Sequence, residues 1–395
     1  MFASAWKVWA PTPSAVRPSS SVHTSSGRLP AGARSSATTT SASSESPSGC
    51  SRMGRSMRAM DREHLPQVVV LSTGGTIAGR GGSSLSLSEY KAGSLLGQEL
   101  VEAVPELDRF ARVRVEQICN VGSSNITFAH WRELAERIDA IFTTESDVAG
   151  VVITHGTSTI EETGYFLNLT VRHDRPVVLV GSQRPSTALS ADGPLNLVNA
   201  VRVAACSESR GRGVLVVLNE EINAARDVTK SNTYRLETFR SGELGFLGYV
   251  DQDKVAYYRR SDNRHTVNSE FALDALGELP SVEIVYSSVQ SNTPLLVETL
   301  QKAGVRGIVF AATGAGSLSD REKEVVAQSV ARSLGTVFVR ASRVGNGRVT
   351  GRSEFDRLGI IPADNLSPQK ARVLLMLALA RTSNLDELRR VFSQY

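Results

Sequence analysis

The chain is predicted to be an α/β protein, with a larger domain on a mostly parallel sheet followed by a smaller α/β domain. Three observations carry this. From residue 66 onward, apolar β-like runs alternate with helical runs, the βαβ rhythm of a parallel sheet covered on both faces. Two of those runs end in Gly/Thr-rich turns, Val68-Val69-Val70-Leu71-Ser72-Thr73-Gly74-Gly75-Thr76 and Val151-Val152-Ile153-Thr154-His155-Gly156-Thr157-Ser158-Thr159. A polar stretch at 260–280, ending in Leu279-Pro280, then separates two such series.

In the first series, strands are expected at 67–71, 111–118, 150–154, 177–181 and 214–218. Apart from 111–118, which alternates with charged residues, their Val/Ile/Leu runs are those of strands covered on both faces. Helices are expected between them at 94–104, 127–142, 159–169 and 194–206. Thr127 precedes apolar residues at Trp131, Leu134, Ile138 and Ile141, the spacing of a capped amphipathic helix. Residues 219–262 break the rhythm and read as a loop followed by short strands. The second series comprises strand 282–286, helix 294–303, strand 307–311, helix 319–333, strand 336–340 and helices at 368–381 and 385–392. The resulting division is an extension at 1–62, a catalytic domain at 63–262, a linker at 263–280 and a C-terminal domain at 281–395.

A chain of 395 residues can bury two cores. Its formal charge of +4 is concentrated at the start. Residues 1–60 hold seven Lys/Arg and one acid, Glu45, which leaves 37 basic and 39 acidic side chains in the remainder. The near-neutral remainder gives no electrostatic case for nucleic acid or membrane binding. The first 60 residues are about a quarter serine, too polar to offset ordering entropy by burial. They read as a disordered extension, or as an upstream start with the working one at Met60. Being Arg/Ser-rich and acid-poor, they also have the composition of an organellar transit peptide. No apolar run suits a secretory signal, and none reaches the eighteen residues needed to span a membrane. Cys50, Cys119 and Cys206 form no C-x-x-C or Cys/His cluster, so neither a disulfide framework nor a metal site is expected. Cys119 and Cys206 read as buried thiols.

Each turn presents a threonine hydroxyl beside backbone N–H groups at the carboxyl edge of a parallel sheet, where open α/β sheets bind ligands. Amide hydrolysis needs a nucleophile, a proton acceptor and donors for the oxyanion. Thr76 sits in a glycine-flanked loop that allows close approach, and Thr157 precedes a helix whose dipole favours developing negative charge. Lys230 is the candidate base, because a lysine removed from water gives up its proton more readily. Tyr90 is a second proton carrier. Taken singly, each has a plainer reading: Gly74-Gly75-Thr76 as a structural turn and Lys230 as a surface charge. Neither turn carries G-x-G-x-x-G or Gly-Lys-Ser/Thr, which argues against a dinucleotide site or a P-loop. His155 reads as a packed core histidine and Asp192 as a turn residue or helix cap.

Together, the two turns and the Lys230 segment resemble the bacterial-type asparaginase/glutaminase family. The similarity runs from about residue 66 to Tyr395, through Ser123, Arg184-Pro185-Ser186, Ser190-Ala191-Asp192-Gly193-Pro194 and Pro368-Gln369-Lys370-Ala371-Arg372-Val373-Leu374-Leu375. The resemblance implies a larger N-terminal α/β domain, a smaller flavodoxin-like C-terminal domain and homotetramers of intimate dimers. It implies active sites between the N-terminal domain of one subunit and the C-terminal domain of its neighbour. It implies that Thr76 is the nucleophile, assisted by Tyr90, that Thr157 pairs with Lys230, that Ser123 holds the substrate α-carboxylate and that Glu354 reaches in from the neighbour. The implied reaction is cofactor-free hydrolysis of the asparagine side-chain amide, in the cytoplasm or alternatively the periplasm or an organelle.

Three positions depart from the family pattern. The second motif usually reads His-Gly-Thr-Asp-Thr, and here Ser158 replaces the aspartate that holds the substrate α-ammonium. Ser124 replaces a glutamine with a similar task, and Gln290 stands for the asparagine donated by the neighbour. An amidase with a weakened preference for a free α-amine is therefore a second expectation. The cysteines of the secreted branch are missing, with Thr143-Thr144 and His173 in their neighbourhoods, which favours a reducing compartment. Two other classes remain open: a binding protein without turnover, and an ammonia-donating subunit of a tRNA-dependent amidotransferase. The charge balance disfavours the latter.

Overall fold

The computed structural model describes residues 64–395, so the extension expected at 1–62 lies outside the described residues. In the larger domain the elements are β1 (Gln67–Gly74), α1 (Gly97–Glu102), β2 (Arg112–Val121), α2 (Phe128–Thr144), β3 (Val148–Thr154), α3 (Ile160–Thr170), β4 (Val177–Val180), α4 (Gly193–Ala205), β5 (Val214–Leu218), β6 (Glu221–Ala224), β7 (Gly248–Val250) and β8 (Val255–Tyr257). They form one eight-stranded sheet in the order β8-β7-β6-β5-β4-β3-β1-β2. β1 lies parallel between β2 and β3, with Val69 opposite Arg114 and Val151.

Alternation along the strands divides the packing. Val69 and Leu71 face one core with Val151, Ile153 and the buried sides of α2 and α3. Val68 and Val70 face the other with Val152, Val178 and the buried side of α4. Each such side chain contributes about 1.5–3 kcal/mol on full burial. The break in rhythm at 219 is a reversal of chain direction. Asn219 and Glu220 both have positive φ, 52° and 60°, and form a tight two-residue turn that sends β6 back antiparallel to β5.

The smaller domain holds β9 (Val282–Tyr286), α5 (Thr293–Lys302), β10 (Gly307–Ala312), α6 (Asp320–Ala331), β11 (Val337–Ser342), β12 (Ile361–Pro362), α7 (Pro368–Leu379) and α8 (Leu385–Gln394). Its four strands are parallel and lie in chain order. Sequence places the starts of its helices clearly. Ser319 and Glu322 exchange hydrogen bonds in a Ser-x-x-Glu box, Ser319 N–H donating to Glu322 Oε2 at 2.7 Å. Pro368 opens α7 behind the Ser367 cap. Val309 and Val339 of the smaller sheet share a continuous core with Leu374 and Leu375 of α7 and with Phe166 and Leu169 of α3. The opposite face of the smaller sheet, with Ile308, Phe310 and Phe338, packs on α5 and α6.

The 263–280 stretch that joins the two domains is packed, burying Phe271 and Leu276 and fixing Glu270 on Arg381 and Arg390, both at 2.8 Å. Two expectations need correction. The helix expected at 94–104 is trimmed to Gly97–Glu102. Cys119 and Cys206 are free but only half-buried. Burial still pushes the Cys119 thiol up to about 11. No helix among the described residues is long and apolar enough to cross a membrane.

Candidate active site

β1 ends on two left-handed glycines, Gly74 at φ 98° and Gly75 at φ 83°. A Cβ on Gly75 would stand 2.4 Å from the Cα and N of Gly156, so the two Gly/Thr turns touch backbone to backbone. Thr76 and Thr157 follow directly, and both are buried. A Cβ on Gly156 would in turn stand 2.8 Å from Ser123 Oγ. Ser123, Thr76 and Thr157 thus meet at the carboxyl ends of the adjacent strands β2, β1 and β3, the crevice in which such sheets bind ligands.

The Thr76 loop is closed. Thr76 Oγ1 lies 2.7 Å from the Tyr90 hydroxyl. A Cβ on Gly79 would come within 2.8 Å of the Tyr90 ring. Gly79 carbonyl accepts from Ser186 N–H at 2.9 Å and from Ser186 Oγ at 2.8 Å, and Gly93 N–H donates to the Gly75 carbonyl at 3.1 Å. Asp192 sits at the N-cap position of α4 but spends its carboxylate elsewhere, on the N–H groups of Gln183 and Arg184, both at 2.9 Å.

Around Thr157 the partners differ. Lys230 Nζ donates to Thr157 Oγ1 at 2.7 Å. Burial lowers the proton affinity of Lys230, and the nearby Glu161 carboxylate partly restores it. Lys230 lies on a two-residue bridge, Thr229–Lys230, paired with Phe239–Arg240. His155, fully buried, contacts the Gly156 carbonyl at 2.8 Å and the Thr163 hydroxyl at 3.0 Å. Trp131 Nε1 also donates to that hydroxyl, at 2.8 Å. Burial holds His155 down to about 4, so it is a neutral core histidine.

Ser158 is exposed, and its N–H donates to Ser123 Oγ at 3.2 Å. Thr159, the N-cap of α3, donates its hydroxyl to the Ser123 carbonyl at 2.8 Å. Ser124 lies exposed beside Ser123. A cavity of about 330 Å³ opens on Ser123, Ser124 and Thr159, and a groove of about 430 Å³ runs past Asp227, Thr229 and Gln369. Neither takes in Thr76, Thr157 or Lys230. Two expected residues are not brought to this cleft within the chain. Gln290 lies on an exposed turn at φ 53°. Glu354, in the short helix Ser353–Asp356, lies 3.6 Å from Lys323. Among the described residues no group of three or more His, Cys, Asp or Glu is arranged to hold a metal.

Sequence reasoning passed over Glu161, Gln369 and Lys370, which stand behind Lys230. Glu161 follows the second turn, in the first turn of α3, and was given no role. Gln369 and Lys370 are remote in sequence, and only the docking of α7 brings them near.

Two threonine hydroxyls on touching turns, one against a tyrosine and the other against a half-buried lysine, define equipment for acyl transfer on a two-domain α/β scaffold. Family models match on both domains: "Asparaginase, N-terminal" over residues 67–263 and "Glutaminase/Asparaginase C-terminal domain" over residues 281–392. L-asparaginase 2 of Bacillus subtilis is 46% identical over 340 residues, 86% of this chain and 89% of the relative. A probable periplasmic L-asparaginase of Haemophilus influenzae is 44% identical over 349 residues, 88% of this chain and 98% of the relative. The crystal structure of a probable cytoplasmic L-asparaginase from Campylobacter jejuni superposes with a TM-score of 0.81 at 42% identity, covering 84% of this chain and all of that one. The chain belongs to the asparaginase family.

Proposed function

We propose that this enzyme hydrolyses the side-chain amide of L-asparagine to aspartate and ammonia by threonine nucleophilic catalysis. The observation that carries the reading is the 2.7 Å contact from Lys230 Nζ to Thr157 Oγ1, on a turn touching the one that bears Thr76 and its Tyr90 partner. The relatives named as L-asparaginases support the substrate.

In this reading Thr76 Oγ1 attacks the amide carbon while its proton is relayed through the Tyr90 hydroxyl, which passes its own proton on to the amide nitrogen, so that nitrogen leaves as ammonia. Backbone N–H groups beside the turns receive the oxyanion, and collapse of the tetrahedral adduct releases ammonia and leaves an acyl-enzyme. Lys230, whose hold on its proton is weakened by burial, takes a proton through Thr157 from the water that attacks the ester, and a proton returns to Thr76 Oγ1 as the acid is released. Ser123 orients the substrate α-carboxylate, with Ser124 and Ser158 beside it. Gln290 and Glu354 act from a neighbouring copy in a homotetramer of intimate dimers. The working compartment is the cytoplasm, the one named for the Campylobacter jejuni relative. Cell fractionation checks this against the periplasm, named for the Haemophilus influenzae relative.

A second reading, favoured by the uncharged hydroxyls at Ser124 and Ser158, is an amidase for amides or imides without a free α-amine. A hydrogen bond to a charged group is worth about 1.5–3 kcal/mol, or roughly 10- to 150-fold in binding. Ammonia release from L-asparagine, D-asparagine, L-glutamine and succinamic acid, run side by side, separates the two. The first reading expects L-asparagine to lead. The second predicts comparable kcat/KM for L-asparagine and succinamic acid, and a large asparagine advantage sinks it.

A further inference from the structure

The segment that carries Lys230 is paired with its neighbour over two residues, Lys230 opposite Phe239 and Thr229 opposite Arg240. The pairing continues where Ser231 N–H and Oγ donate to the Thr238 carbonyl, both at 2.8 Å, and Asn232 N–H donates to Thr238 Oγ1 at 2.9 Å. On the other side, the Lys230 backbone is held from behind by α3 and α7. Glu161, 6% exposed in the first turn of α3, accepts the Lys230 backbone N–H on Oε2 at 3.1 Å. Its other oxygen, Oε1, accepts the side-chain amide of Gln369 at 2.6 Å. Gln369 belongs to the first turn of α7, in the smaller domain. The next residue, Lys370, is 2% exposed and donates Nζ to the backbone carbonyl of Arg226 at 2.7 Å and to that of Val228.

The carbonyls of Arg226 and Val228 and the N–H of Lys230 therefore all end on α7, or on a carboxylate that α7 clasps. A buried carboxylate is costly unless it is hydrogen-bonded, so Glu161 keeps its place only while both donors are present. Charged groups on the elements packed against Lys230 are Glu161 from α3, Lys370 from α7, Arg226 and Asp227 on its own segment, Arg240 on the paired bridge and Glu237 in the turn before it. Of these, Glu161 is the one whose charge bears on the Lys230 ammonium.

We propose that Glu161, clasped by Gln369, is a positioning residue for Lys230, so that seating of the smaller domain on α3 sets the Lys230–Thr157 contact. The inference rests on the reading of Lys230 as proton acceptor for Thr157. Glu161 touches no reacting atom in that reading and acts through the lysine, by reach and by charge.

The test is steady-state ammonia release from L-asparagine across pH by the full chain, with melting temperature followed for each variant. Gln369→Ala keeps the charge and loses the clasp. Its kcat is expected to fall about tenfold, with KM within twofold and the pH profile in place. Glu161→Gln removes the charge that favours the ammonium, so the acid limb of kcat/KM is expected to move to lower pH by at least about half a unit. Glu161→Asp restores charge without reach, returning the limb to its wild-type position while the plateau stays low. Lys230→Met separates the role of the lysine from the role of its support. If it turns over like wild type, the reading of Lys230 itself fails. If it abolishes turnover while Gln369→Ala and Glu161→Gln keep wild-type kcat and pH profile, the positioning role alone is overturned. A melting-temperature loss in both variants with unmoved kinetics overturns it equally, as a purely structural contact.

Discussion

At the scale of single residues, the chemistry lies in side chains whose surroundings, more than their identities, give them a task. Lys230 in water would be an ordinary cation; against Thr157, and partly removed from solvent, it holds its proton less firmly. His155 shows the same rule with a structural outcome. Its folded value of about 4 lies below the ordinary 6.5. Between those values the unfolded chain binds a proton that the folded chain refuses, so stability falls as pH drops from about 6.5 to 4. The loss amounts to about 3 kcal/mol over the whole window. Urea-unfolding midpoints are expected to fall across that window, and His155→Asn is expected to flatten that part of the slope. An unchanged slope in the variant would mean that His155 is charged in the fold.

Thr76 and Thr157 were singled out in sequence by their Gly/Thr turns, Lys230 and Tyr90 as candidate proton carriers, and Ser123 only through the family resemblance. Glu161 was visible but mute, since a glutamate in a first helical turn has a sufficient explanation in the helix dipole. Gln369 and Lys370 lie in a stretch that carries the resemblance, but nothing local gave them a role, because it depends on which helix docks behind the Lys230 segment.

At the scale of elements, long apolar strands and capped helices were readable, and short paired segments were not. The runs at 150–154 and 214–218 fall within a residue or two of β3 and β5 because a strand buried on both faces must be apolar throughout. The 219–262 region was legible only as a loop with short strands. Its reversal depends on an Asn-Glu turn with positive φ at both residues, without the glycine that usually marks such turns. The contact between the two Gly/Thr turns belongs at this scale. A methyl on Gly75 meets the backbone of Gly156 at 2.4 Å and must also adopt φ 83°, a conformation costing an ordinary residue roughly 1–2 kcal/mol before any clash. Gly75→Ala is therefore expected to lower the melting temperature by several degrees and kcat/KM by at least about 100-fold, as the two turns are pushed apart. Thermal melts and ammonia kinetics check both; an alanine that leaves kcat/KM intact would show the close approach to be unnecessary.

For the whole molecule, the smaller domain is packed against the candidate site from behind. It shares a continuous core with α3 through α7, and that helix presents Gln369 and Lys370 to the Lys230 segment. The two-domain plan was legible because polar residues 260–280 interrupt two apolar series, yet the stretch is packed, since its few apolar residues are the ones buried. Two hydroxyls and one amine forming a single amidase centre is the central claim. The most direct measurement is ammonia release from L-asparagine by the full chain beside Thr76→Ala and Thr157→Val, with folding verified for each. Turnover is expected in the wild type, with losses of at least about 10²–10⁴ in kcat for either variant. Wild-type turnover by either variant, or no turnover by the wild type, would contradict it.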